Sequence, residues 1–179
     1  MKLDEGMDTG PVIIQKTCQI DPDETAATLH DKLSRQGAEL VADNLYEYLQ
    51  GTLEPITQDN TRATATKIIN KADGRIDWHM PAADIERQLR AYTPWPGLYC
   101  YWNVNDNKIE QRVKIIKASV APEKIKLSPG QTKQIGNCII VGCGHGSLKL
   151  QTIQLEGKKQ MPLPDFLKGY PGFSQTKLK

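Results

Sequence analysis

The sequence has no apolar run that could cross a membrane. Its longest, Val12-Ile13-Ile14 and Cys138-Ile139-Ile140-Val141, are strand-sized, against the roughly 18 consecutive residues a span needs. Cysteine is scarce: Cys18, Cys100, Cys138 and Cys143, with no C-x-x-C pair. That excludes a disulfide scaffold, and buried thiols in a reducing cytoplasm are the reading. Cys138 and Cys143 with His145 offer three metal donors, but at a spacing unlike the common zinc fingers and with no second pair, so no metal is expected. The opening MKLDEGMDTG turns acidic after one lysine, unlike a secretory leader. No G-x-S-x-G is present and no Cys–His motif for nucleophilic catalysis. With 179 residues, 39% hydrophobic and 25% charged, the chain can bury a core without staples.

What the chain does have is an uneven charge. The net of +2 hides residues 1–90 with 10 Lys and Arg against 16 Asp and Glu, a net of −6, and residues 91–179 with 13 against 5, a net of +8. Such asymmetry points to a polyanion partner, nucleic acid or phosphate.

Three segments follow from composition and period. In residues 1–51, the β-branched run Pro11–Cys18 predicts a strand, Asp21-Pro22-Asp23-Glu24 a turn, and Leu29, Leu33, Leu40, Leu45 and Leu49 a helix opening at Glu24 or Thr25 and closing at Gly51. The strand's sheet neighbours are not in the sequence, so it and the leucine face are expected to be poorly held. Residues 52–62 are polar, with one proline and little periodicity, and read as a linker. Residues 63–179 predict a helix from Pro81 to Arg90, with acids early and arginines late. Strands follow over 98–104, 109–119, 131–135, 138–141 and 148–155, split by Asn105-Asp106, Pro129-Gly130 and a glycine-rich turn, with one last helical turn over 165–168. Short strands with such turns suggest a small antiparallel barrel, with Trp78, Trp95 and Trp102 contributing to its core.

Two motifs carry chemistry. Asp4-Glu5-Gly6-Met7-Asp8-Thr9-Gly10 packs three carboxylates and two glycines into seven residues. An aspartate on a bent loop can position a general acid, a base or a water. Gly142-Cys143-Gly144-His145-Gly146 lacks the Gly-Lys-Ser/Thr ending of a phosphate loop, and reads as a hairpin turn.

The residues also resemble a family. Asp4–Val12 is similar to the D-x-G-x-D-T-G segment that closes the active site of folate-dependent formyltransferases. Gly74-Arg75-Ile76-Asp77-Trp78, the run Glu86–Gly97, Lys114–Ala118, Leu155–Met161 and Asp165–Gly169 resemble, in order, the C-terminal domain of methionyl-tRNA formyltransferases. The resemblance spans nearly the whole chain. It implies formyl transfer from 10-formyltetrahydrofolate to methionyl initiator tRNA in translation initiation, in the cytoplasm. It places Asp8 on the catalytic aspartate, with Asp4, Glu5, Gly6 and Met7 on the loop beside the folate. It also implies a fold: a mixed α/β tail (strand plus helix of a truncated Rossmann-like formyltransferase domain, residues 1–51), a linker (52–62), and a small OB-like β-barrel with a helix leading into it (63–179), which holds tRNA. Arg87, Arg90, Lys114, Lys117, Lys149, Lys158 and Lys159 are the candidate tRNA contacts. Lys114 and Lys117, three apart on a strand, are expected on opposite faces.

The departure from the family is the missing N-x-H-x-S-L-L-P segment, which supplies the active-site Asn and His. Met1 falls inside the family's pattern rather than at its start. The resemblance therefore implies the later part of such an enzyme, inactive alone, binding no folate by itself but still binding tRNA, either alone or beside a separately encoded catalytic part. The alternatives are a stand-alone tRNA-binding module without chemistry, or the C-terminal part of a sugar-amine formyltransferase.

Overall fold

The computed structural model describes residues 1–104, 109–122 and 125–179. The chain divides into two units, Met1–Ile68 and Ile69–Lys179.

In the first unit the run Pro11–Cys18 forms no strand, contrary to its composition. Only Val12 pairs, exchanging two backbone bonds of 2.8 Å with Ile56. A β-branched run becomes a strand only where a neighbour takes its N–H and C=O groups, and here Val12 alone has both taken by another backbone. The partner lies in the polar segment 52–62, which is thereby tied to the first unit. Helix α1, Ala26–Leu49, begins where Thr25 and Thr28 cap each other reciprocally. It ends at Gln50, followed by Gly51 at φ +72°, a left-handed turn that glycine adopts without a Cβ penalty. None of its residues is buried. One side lies along the extended chain, where Lys32 Nζ donates to the Gln19 carbonyl at 2.6 Å and Gln36 Nε2 to that of Thr17 at 3.3 Å. Leu33, Leu45 and Leu49 stay exposed at 46%, 49% and 70%.

The second unit is a six-stranded antiparallel sheet with helices. Its strands are β1 (Leu98–Val104), β2 (Ile109–Val120), β3 (Thr132–Ile135), β4 (Cys138–Gly142), β5 (Ser147–Leu155) and β6 (Met161–Pro162). The order is β1-β2-β5-β4-β3, with β6 on β5. The expected Asn105-Asp106 turn lies outside the described residues. The glycine-rich turn after β4 is a hairpin to β5: Cys143 N–H donates to the Gly146 carbonyl at 3.1 Å. A Cβ at Gly144 would run into the His79 carbonyl, and the Gly144 N–H donates to the Met80 carbonyl at 3.0 Å.

β1 and β3, the two ends of the sheet, do not pair with each other. The segment 176–179 joins them instead. On the β3 side, Thr132 N–H donates to the Thr176 carbonyl at 2.9 Å and Leu178 N–H to that of Gly130 at 2.8 Å. On the β1 side, Tyr101 and Lys179 exchange bonds of 2.8 and 3.0 Å. The sheet is thus curled, and its edges are bridged by this last piece of chain. Leu178 plugs in beneath, 2% exposed.

The alternation of β1 sends Leu98, Cys100 and Trp102 inward and Tyr99 and Tyr101 outward. Helix α2, Ala82–Ala91, lays Ala82, Ile85 and Leu89 on the core side of β2 and β5. Helix α3, Leu163–Gly169, and a 3₁₀ turn over Pro171–Gln175 bring Phe166, Tyr170 and Phe173 around Trp102, with ring centroids 5.1–6.0 Å from the indole. Trp78 and Trp102 are core residues, but Trp95, expected with them, is 54% exposed. It sits in the Pro94-Trp95-Pro96-Gly97 turn ahead of β1, where the inward pattern of the strand has not begun.

Candidate functional site

The loop Asp4–Gly10 is folded by its own polar groups. Asp4 Oδ1 accepts the Thr9 hydroxyl at 2.7 Å and the Gly6 N–H at 3.2 Å. Asp8 has φ +57°, the one positive φ outside glycine among the described residues. Asp tolerates that region better than most side chains, though at some cost. The turn is held from across the unit by Gln58, whose Nε2 donates to the Asp8 and Gly10 carbonyls at 2.9 and 2.6 Å. Glu5, Gly6 and Met7 are exposed beside it. Met7, Asp8 and Thr9, with residues 12–15, 56–60 and 62–66, line a cleft of ≈ 880 Å³. Asp59 in that cleft is held below the usual carboxylate range by bonds from the Thr61 hydroxyl and N–H. Gln58 carries no motif, and nothing in the sequence marked it.

The basic candidates do not form one patch. Arg87 and Arg90 ride on α2 and are each paired on the helix, with Asp84 and with Glu86 respectively. Since α2 covers the core side of β2, both are carried away from Lys114. Lys114 and Lys117, in contrast, share the solvent side of β2. Register shifts between Ile115 and Ala118 insert a bulge, after which Ala118 packs on the core. A bulge adds one residue and resets the alternation, which corrects the expectation of opposite faces. Lys149 lies farther along β5, opposite Ser119. Lys158 and Lys159 are exposed on the turn between β5 and β6.

At one end of this outer face Lys114 stands among aromatic and cationic groups that carried no expected role in binding. Tyr99 pairs in register with Lys114, and Tyr101 with Arg112. The Arg112 guanidinium lies 5.6 Å from the Tyr99 ring centre and 3.2 Å from Glu156, and Arg75 lies 5.5 Å from the Tyr101 ring centre. Lys71, Trp95, Pro96, Tyr99, Arg112 and Lys114, with residues 154–157, line a cleft of ≈ 340 Å³. The usable signal was period two: Tyr-x-Tyr on one strand facing Arg-x-Lys on the next.

Burial pushes the thiols of Cys100 and Cys143 up to about 12 and about 11, so neither is a nucleophile at neutral pH. Among the described residues no three His, Cys, Asp or Glu are placed to hold a metal, and no helix is long and apolar enough to cross a membrane. Asp77 is held low, first by the His79 N–H and second by the His79 ring. A depressed carboxyl contributes stability above its ordinary pKa and loses it as pH falls through the folded value. By NMR, Asp77 is expected to titrate below the ordinary carboxylate range of about 3.9. His79→Ala should raise it only part of the way, because the backbone donor remains.

The comparisons with known proteins cover both units. The family described as "Formyl transferase, C-terminal domain" matches residues 68–171, and "Formyl transferase" matches 1–45. The chain is 41% identical over 170 residues to a methionyl-tRNA formyltransferase of Geobacter metallireducens, covering 94% of this chain and 52% of that one. It is 37% identical over 179 residues to that of Koribacter versatilis, covering 99% and 55%. The chain thus spans about half the length of the curated relatives it matches. Among solved structures it resembles HypX from Aquifex aeolicus in complex with tetrahydrofolic acid, at TM-score 0.61 and 18% identity over 92% of this chain and 28% of that one. It also resembles an N-formyltransferase from Helicobacter canadensis solved with folinic acid and dTDP-3-aminofucose, at TM-score 0.60 and 22% identity over 83% and 52%. At such identities the structural likenesses speak for the fold alone.

Proposed function

The chain belongs to the formyl transferase family, and we propose that it serves the formylation of methionyl initiator tRNA in the cytoplasm, as the part that grips the tRNA. The observation that carries this reading is identity of about 40% over nearly the whole chain to methionyl-tRNA formyltransferases. The neighbours that act on sugars stand near 20%, which makes the sugar-amine reading the weaker one. In this reading residues 63–179 are an OB-like barrel for tRNA, 52–62 a connection, and 1–51 a piece of the catalytic domain. Asp8 is the catalytic aspartate, and Asp4, Glu5, Gly6 and Met7 border the folate. The chain alone neither binds folate nor transfers formyl. The chemistry needs a catalytic part that carries the missing Asn and His.

The tRNA contact is electrostatic in its first order. Residues 91–179 carry a net +8, and Lys114, Lys117, Lys149, Lys158 and Lys159 are its outward bearers, while Arg87 and Arg90 serve a separate contact on α2. Each phosphate neutralised releases counterions, with a slope of log K on log salt of about 0.7–0.9 per phosphate. With about four to six contacts, tripling the salt is expected to weaken tRNA binding by about one to three decades. Such contacts position without specifying, so initiator and elongator tRNA should bind alike. Anisotropy titrations at two salt concentrations, with Lys158→Ala/Lys159→Ala alongside, test this. Binding that is absent at low salt, or indifferent to salt, would overturn it.

A further inference from the structure

Nine aromatic residues lie in the second unit. Trp78, Trp102, Phe166 and Phe173 are core, and Tyr92 and Tyr170 pack against it. The other three, Trp95, Tyr99 and Tyr101, face outward at the same end of the sheet. Large aromatic side chains left at the surface forgo a considerable hydrophobic gain, so three together are an unlikely accident of packing. Tyr99 and Tyr101 stand edge to face at 5.8 Å, and each is attended by an arginine. Trp95, the most exposed of the three, has no aromatic or cationic partner among the described residues.

We propose that Trp95, with the Tyr99–Arg112 pair beside it, is a stacking site for an unpaired nucleotide of RNA. The proposal rests on the tRNA reading above and deepens it. Lys71, Arg112 and Lys114 line the cleft with Trp95 and Tyr99, and its one carboxylate, Glu156, is already engaged by Arg112. The turn carrying Lys158 and Lys159 begins at Gly157, on the cleft's rim. An indole sharing a cleft with three cations suits a base with phosphates on either side. A paired base keeps its faces inside the helical stack, so only an unpaired one can use the site. An acidic peptide would satisfy the cations but would leave the indole without a flat partner.

The test uses the whole chain and its own fluorescence. Trp78 and Trp102 are only 4% and 2% exposed, so quenching by an added oligonucleotide reports Trp95. A single-stranded uridine 12-mer is expected to quench the emission, whereas a 12-base-pair RNA duplex binds without quenching. Trp95→Leu should abolish the quench and weaken the single strand by about 5–150-fold, the range for loss of one stacked base. Trp95→Phe should retain most of the affinity, which separates stacking from a folding defect. Lys158→Ala/Lys159→Ala should reduce the salt slope and leave the quench at saturation unchanged. If tRNA binds with its salt dependence but neither the quench nor the Trp95→Leu loss appears, the stacking site is wrong and the tRNA reading stands. If no RNA binds at low salt, both fall. If an acidic peptide quenches Trp95 and the single strand does not, the face belongs to a protein partner and the proposal is overturned.

Discussion

Incubated with 10-formyltetrahydrofolate and methionyl-tRNA, the purified chain is expected to make no formyl-methionyl-tRNA above the uncatalysed background. Formyl transfer gathers negative charge on the formyl oxygen as the amine attacks. Removing one donor to such an oxyanion typically costs about 10²–10³ in rate. The Asn and His implied by the family resemblance belong to a segment this sequence does not contain. Asp8 remains, on an exposed loop, with the binding energy of a full folate pocket missing. The assay is acid-gel or chromatographic detection of the formylated tRNA. Turnover near that of a full-length relative would overturn the reading of this chain as the gripping part.

Phe173→Ala is expected to destabilise the second unit by about 3–5 kcal/mol, the usual cost of emptying a buried aromatic site. Phe173 is fully buried and meets Trp102 and Phe166, each at 5.1 Å between ring centres. Its backbone carbonyl lies 3.1 Å from the buried Thr132 hydroxyl, so a collapse of the site would also disturb the bridge between the sheet's ends. All three tryptophans lie in the second unit, so urea unfolding followed by their fluorescence reads that unit alone. Tyr99→Ala, on the outer face, should move the midpoint far less. Equal shifts for the two substitutions would mean that the ring cluster is not the core it resembles.

Five of the six strands of the second unit were legible because each is bounded by turn residues; β6, two residues long, carries no such signal. Leu98–Val104 came out at its predicted limits, and β4 and β5 within a residue of theirs. What escaped were the features that alternation alone cannot express. The bulge at 115–118 depends on how two strands pair, not on the composition of either. The bridging role of 176–179 depends on where two distant edges end. Trp95 reads as a core residue by type, and only its place in the turn before β1 turns it outward. The run Pro11–Cys18 has every local mark of a strand, yet a strand is a relation between two segments, and only Val12 finds its other half. The site showed the same division. Asp4–Gly10 stood out by composition, whereas Gln58, which fastens it, was a glutamine in a polar stretch.

The joining of β1 to β3 through 176–179 also sets a timetable. Tyr101 and Lys179 are roughly 80 residues apart, and closing a loop of that length costs about 4 kcal/mol in chain entropy. Helix α1, made of bonds four residues apart, forms on the microsecond scale. Contacts as distant as those of the sheet's rim come late and place a domain among the slower folders. Until the last segment docks, β1 and β3 offer rows of unpaired N–H and C=O groups to any neighbour with a free strand. Docking is unimolecular and pairing between chains is bimolecular, so the two race on unequal terms as the solution thickens. Refolding yield should therefore fall with protein concentration, and a peptide copying residues 174–179 should arrest refolding by filling the gap first.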